Sequence, residues 1–135
     1  MTMLAALPLI AAATGLPVAS AQPSDLARVC DFDRACIERR PCFDSFARVT
    51  VAPVAGAADL ARIDFGDGRV RLARVSRSGV WTSLVTEPDI DHANRVEVLD
   101  FAASGRATLV VNDPGTAVGL ISRTGTCRPD DGDPA

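Results

Sequence analysis

The chain of 135 residues has no lysine and no tyrosine, one histidine (His92) and one tryptophan (Trp81). Its fourteen cationic side chains are therefore all arginines, and seventeen acids bring the net charge to -3, spread along the chain. There is no basic patch interleaved with aromatics, so nucleic acid is not an expected partner. G-x-S-x-G is absent, which removes the usual nucleophile elbow of serine hydrolases. C-x-x-C is absent, which argues against thioredoxin-like redox chemistry. Asp64-Phe65-Gly66 spells the metal-binding triplet of kinases, but no glycine-rich phosphate loop, strand lysine or H-R-D accompanies it, and it reads as the arm of a hairpin. No segment holds a 3.6-residue period long enough for a major helix.

Charge is also missing from the start of the chain, where the first charged side chain is Asp25. Residues 3–13 are an apolar run, Thr14-Gly15-Leu16-Pro17 breaks it, and Ala19-Ser20-Ala21 forms an A-x-A site before Gln22. This pattern predicts a signal peptide over residues 1–21 and a periplasmic or secreted product, although Met1-Thr2 lacks the customary Lys or Arg. The unbroken apolar run is shorter than the ~18–20 residues of a spanning helix, so no membrane span is expected after cleavage. No cysteine stands at the cleavage point to take a lipid. Residues 22–128 then form one domain, and residues 129–135 an acidic, disordered tail.

What is present is a cysteine framework. Cys30, Cys36 and Cys42 lie with five residues between neighbours, and Cys127 follows 85 residues later. An even number of cysteines in a short exported chain reads as disulfides. Structural zinc wants C-x₂₋₄-C spacings, which these gaps do not supply, and no cofactor is expected. Four cysteines allow three pairings. The favoured one joins Cys30 in a short first strand to Cys127 in the last, and Cys36 to Cys42 around a charged loop; a Cys36–Cys127 bridge would overturn it.

From Phe43 onward the period is close to two. Alternation predicts strands ending at Pro53, over Leu60 to Phe65, from Val70, over Val80 to Thr86, Arg95 to Phe101, Ala107 to Val111, and Val118 to Cys127. Asp67-Gly68 reads as a tight primed hairpin turn. In the arm after it, Val70 and Leu72 carry the apolar face, and the shift to Ala73 and Val75 predicts a bulge near Arg74. Pro41 and the charged run before it make Cys36–Cys42 a loop. The fold class is all-β: a small, disulfide-tied antiparallel meander or barrel of about seven to eight short strands.

Few residues point to chemistry. Asp89-Ile90-Asp91-His92-Ala93-Asn94 offers oxygens and a histidine, but it lacks the further acid, central Gly and closing Glu of an EF-type calcium loop, and reads as a solvated turn. His92 reads as a surface histidine and Trp81 as a core residue. Glu38, Arg39 and Arg40, held on the Cys36–Cys42 loop, are the candidate partner contact; Asp31, Asp33 and Glu38 supply local counter-charges. The sequence nominates no catalytic or metal-binding residue.

C-x₅-C-x₅-C over Cys30–Cys42, alternating strands and a terminal Gly125-Thr126-Cys127 resemble short exported four-cysteine β-domain proteins of alphaproteobacteria. The resemblance implies a periplasmic β-domain and carries over no catalytic residue. A looser likeness connects the chain with the small disulfide-tied β-barrel lysozyme inhibitors of the bacterial periplasm, whose inhibitory loop motifs are not recognisable here. The expected function is a monomeric, non-enzymatic domain that binds a protein or cell-envelope component. The alternatives are a barrel holding a small apolar ligand and a lysozyme-inhibitor-like protein.

Overall fold

The computed structural model describes residues 25–131. The expected signal peptide lies outside the described residues. Eight antiparallel strands form one closed barrel in sequence order: β1 Arg28–Ile37, β2 Phe43–Val54, β3 Ala57–Asp64, β4 Val70–Ser78, β5 Trp81–Thr86, β6 Val96–Ala102, β7 Arg106–Asp113 and β8 Gly119–Pro129. Each strand is joined to the next by a short connection, the arrangement that favours antiparallel neighbours. Closure pairs β8 with β1 from Arg28↔Pro129 to Ile37↔Ile121 and so leaves no open edge.

The alternation places one residue in two inside. Phe32, Val49, Val51, Ile63, Leu84 and Leu99 are shut off from solvent and fill the middle of the barrel. Outward positions such as Arg34, Arg48, Arg62 and Arg74 are exposed. The outer wall mixes these charges with scattered exposed apolar side chains such as Phe46 and Leu72. Among the described residues no helix is long and apolar enough to cross a membrane.

The seam between first and last strands is covalent. Cys30 and Cys127 stand directly opposite each other, bridged at a Cα–Cα distance of 4.0 Å, and Cys36 is bridged to Cys42. These are the two pairs favoured above, one local and one joining the first strand to the last. The seam bridge spans 97 residues of sequence, worth ~4–5 kcal/mol in the chain-entropy description. The same seam needs a glycine. The register of β1 shifts between Phe32 and Arg34, and a Cβ on the facing Gly125 would lie 2.0 Å from the Asp31 carbonyl oxygen.

Several local expectations are corrected. The β4 pairings run without a shift from Asp64↔Val70 to Leu60↔Arg74 and from Ala73↔Thr86 to Ser78↔Trp81, so there is no bulge near Arg74. The inward face of β4 is Arg71, Ala73 and Val75, while Val70 and Leu72 are exposed. The apparent phase slip came from reading an inward arginine as outward. Trp81, expected in the core, is 38% exposed, because Leu84 and Thr86 set the inward phase of β5 and Trp81 falls on the other one.

The Asp67-Gly68 turn is also wider than a two-residue one. Five residues separate Asp64 from Val70, and the loop is shaped by the Asp64 and Asp67 carboxylates, which accept from the amides of Gly66 (2.9 Å) and Arg69 (3.0 Å). β8 runs one residue into the expected tail, and the Asp130 amide donates to the Ala27 carbonyl.

Candidate functional site

Up-and-down order gives the barrel two unlike ends. One is closed by apolar matter: Leu26, just before β1, is buried in the core cluster with Phe101, Ala107 and Cys127. The other gathers the connections 38–42, 65–69, 87–95 and 114–118, and is closed by charge. We refer to it as the mouth.

Beneath the mouth lies Glu97, on the inward phase of β6 with Leu99 and Phe101, and fully shut off from solvent. Three arginines converge on it: Arg69 Nη1 and Arg95 Nε at 3.0 Å from Oε1, and Arg71 Nη1 at 3.0 Å from Oε2. The Thr86 hydroxyl donates to Oε2 at 2.7 Å and accepts from the Glu97 amide at 2.9 Å. A buried carboxylate is tolerated only with such compensation.

Outer acids hold the arginines in turn. Arg69 Nε meets Asp67 at 2.8 Å, and Arg71 and Arg95 reach Asp89 and Asp113 at 3.6 and 3.7 Å. Arg71 also donates to the Glu87 carbonyl, and Arg69 lies over the Phe65 ring, 4.9 Å from its centroid. Burial pushes the Asp67 carboxyl up, but its bonds from Arg69 outweigh this and hold it below the usual carboxylate range.

Against this cluster opens a cavity of about 200 Å³. Ala47, Val49, Leu109, Val111 and Ile121 form its apolar wall, and Arg69, Arg95, Arg123 and Asp67 its polar one. Arg123 shares the inward phase of β8 with Ile121 and Cys127. Its Nη1 donates to the Ser45 hydroxyl at 3.1 Å and weakly to the Ser45 carbonyl at 3.4 Å. Among the described residues it has no carboxylate within ion-pair distance, unlike the other two arginines of the cavity.

The rim carries exposed apolar side chains. Phe43, Val70, Ile90 and Leu120, each at the mouth end of its strand or connection, are exposed, Ile90 to 86%. The sequence-selected contact Glu38-Arg39-Arg40 is exposed at this same end. Glu38 and Arg39 line a separate open depression with Ala117 and Val118, and the Glu38 amide donates to the Leu120 carbonyl at 3.3 Å.

His92 and Asp89 are brought together, with His92 Nδ1 3.0 Å from Asp89 Oδ2. Asp89 also accepts from the Asp91 amide at 3.2 Å, capping a single 3₁₀ turn over Ile90–His92. Burial raises the Asp89 carboxyl, but the His92 bond, the nearby charges of His92 and Arg71 and the Asp91 amide together bring it below its ordinary value. Among the described residues no three histidine, cysteine or acidic side chains gather as metal ligands would.

Sequence reasoning missed Glu97, Arg71, Arg95 and Arg123. The usable signal was phase: Glu97 alternates with Leu99 and Phe101, Arg71 with Ala73 and Val75, and Arg123 with Ile121. Comparison with protein-family models, with curated proteins and with solved structures finds no match.

Proposed function

We propose that the chain is an exported, non-enzymatic binding module that docks a protein or cell-envelope component with the mouth of its barrel. The observation that carries this reading is the pairing, at the mouth, of exposed apolar side chains (Phe43, Val70, Ile90, Leu120) with a cavity in which Arg123 has no carboxylate partner among the described residues. The depression at the far end, beside Val80, has its Arg77 paired with Asp25. Exposed apolar side chains beside a concave site with a few convergent polar groups mark an interaction site. Export is supported by the two bridges, which persist in an oxidising compartment, and by the apolar, uncharged start of the chain.

The filled interior weighs against the alternative of a carrier for an apolar ligand. Phe32, Ile63, Leu84 and Leu99 occupy the space a lipocalin-like barrel leaves open, and the mouth cavity is smaller than the ~300–1,000 Å³ of ordinary ligand pockets. Inhibition of a lysozyme-like enzyme would be one form of such docking.

The test is capture from an envelope extract with the oxidised domain immobilised, comparing three forms. The wild type and Val80→Asp, at the far end, retain the same partner; Ile90→Asp loses it. Equal capture by all three sinks the assignment of the mouth.

A further inference from the structure

We infer that the mouth cavity is a recognition site for a carboxylate carried on a short aliphatic group. The inference deepens the docking reading and rests on it for its biological setting, though the site itself stands on separate observations.

The first is Arg123. It lies partly buried beside the apolar Ile121, and Ser45 occupies at most the two protons of its Nη1. Arginine presents five N–H donors in a planar fork, so Nε and Nη2 remain to be satisfied. These donors are not sealed off, so an incoming carboxylate can engage them through paired, charge-assisted bonds.

The second is Arg95. Its Nε is sealed from solvent and makes no hydrogen bond within the protein, although Glu97 Oε1 lies 3.0 Å away as an ionic contact off the N–H direction. The cavity thus has one cation without a counter-ion, Arg123, beside a second, Arg95, whose charge is already met by Glu97 and Asp113 and whose sealed Nε is out of a ligand's reach. The one acid in its wall, Asp67, is already engaged by the side chain and amide of Arg69. Asp89 and Asp113 are not part of the wall.

Volume and lining set the remainder of the ligand. About 200 Å³ holds roughly seven waters at ~30 Å³ each, which admits a carboxylate and a small branched alkyl group but not a long acyl chain. Ala47, Val49, Leu109, Val111 and Ile121 offer that group hydrocarbon contact. A C-terminal residue with an apolar side chain and a free short-chain acid both have this chemistry.

The test uses three probes against the oxidised domain, followed by amide chemical shifts: 3-methylbutanoate, N-acetyl-alanyl-valine with a free carboxylate, and the same dipeptide amidated. The expected result is saturable shifts of Val49, Val111 and Ile121 with at least one free carboxylate, and none with the amide. Arg123→Gln should weaken binding at least tenfold, Arg123→Lys should bind at an intermediate level, and the outer-wall variant Arg62→Gln should bind as wild type. Unperturbed spectra and melting of the variants separate lost binding from lost folding.

Binding by the dipeptide acid alone assigns the site to a chain terminus; binding by 3-methylbutanoate as well assigns it to free acids. If neither carboxylate binds, or if the amide binds equally, the inference is overturned. Docking at the mouth still stands in that event if capture continues to depend on Ile90.

Discussion

Replacing Glu97 by glutamine removes one charge and almost no volume, and its effect should be among the largest of any single isosteric change. The Glu97 carboxylate is fully buried and touches three guanidiniums at 3.0 Å. The side chains of Arg69, Arg71 and Arg95 are themselves only 27%, 14% and 21% exposed. In the variant, three partly desolvated cations face one another with their outer acids alone. Each lost pair is worth ~4 kcal/mol of gross attraction at an effective dielectric of about 20. Most of that is offset by the desolvation the carboxylate no longer suffers, and the measured cost of breaking a buried pair from one side is about 3–5 kcal/mol.

For a domain of this size that corresponds to a fall in melting temperature of roughly 12–30 °C, a large part of a typical 5–15 kcal/mol stability. Urea unfolding, followed by the fluorescence of the single Trp81, measures it. Arg71→Met in the Glu97→Gln background removes one of the stranded cations, so the double variant should be more stable than the sum of the singles by about 0.5–3 kcal/mol. A Glu97→Gln protein within about 1 kcal/mol of wild type, or a strictly additive double variant, would refute the view that charge compensation closes the mouth.

Changing Cys30 and Cys127 together to serine should lower stability by ~4–5 kcal/mol through the freed loop, read as a shift of the urea midpoint; loss of the Cys36–Cys42 bridge, across six residues, should cost only ~2 kcal/mol by the same relation. Gly125→Ala places a methyl group 2.0 Å from a backbone oxygen and should abolish folded expression, whereas Gly56→Ala, with open space around it but φ +77°, should cost about 1 kcal/mol. Acid should destabilise the fold through Asp31, Asp67 and Asp89. The Arg48 hydrogen bond holds Asp31 below its usual 3.8, with Asp67 and Asp89 lowered as described. Carboxyls depressed in the folded state add stability above their unfolded values and lose it as pH falls through the folded ones. Urea midpoints should therefore drop below about pH 4, and the drop should be shallower in Asp31→Asn; an unchanged acid slope in that variant counts against the Asp31–Arg48 pair.

Sequence alone delivers the strands from Phe43 onward, because alternation is a local pattern. It favoured the observed bridges without excluding the other pairings. It took for a short strand and a loop at Cys36 what is a ten-residue β1 reaching Ile37. Val49, Ile63 and Leu99 fall in the alternating runs, and Cys30 and Cys127 sit near the ends of the ordered pattern. The mouth was illegible for a physical reason. A charged residue is ordinarily a solvent-facing one, so the apolar face of β4 was given to Val70 and Leu72 rather than to the phase of Arg71, and Glu97 was passed over. Their burial is affordable only jointly, and the partners that make it so sit on different strands. Trp81 misleads from the opposite side: its apolar bulk suggests burial, while the phase of Leu84 and Thr86 excludes it. His92 was read as solvated and is exposed, although its ring closes onto Asp89 in a way no spacing rule predicted.

The pairing of Arg28 with Pro129 has a bearing on how the molecule is presented. Both ends of the barrel's chain enter and leave on the side away from the mouth. A leader, tether or affinity tag joined before β1 or after β8 therefore departs opposite the arginine cavity. A surface that grips the chain immediately before β1 or after β8 displays the rim of Phe43, Val70, Ile90 and Leu120 outward. Orientation of this kind would let the domain be anchored at one pole and meet its partner at the other.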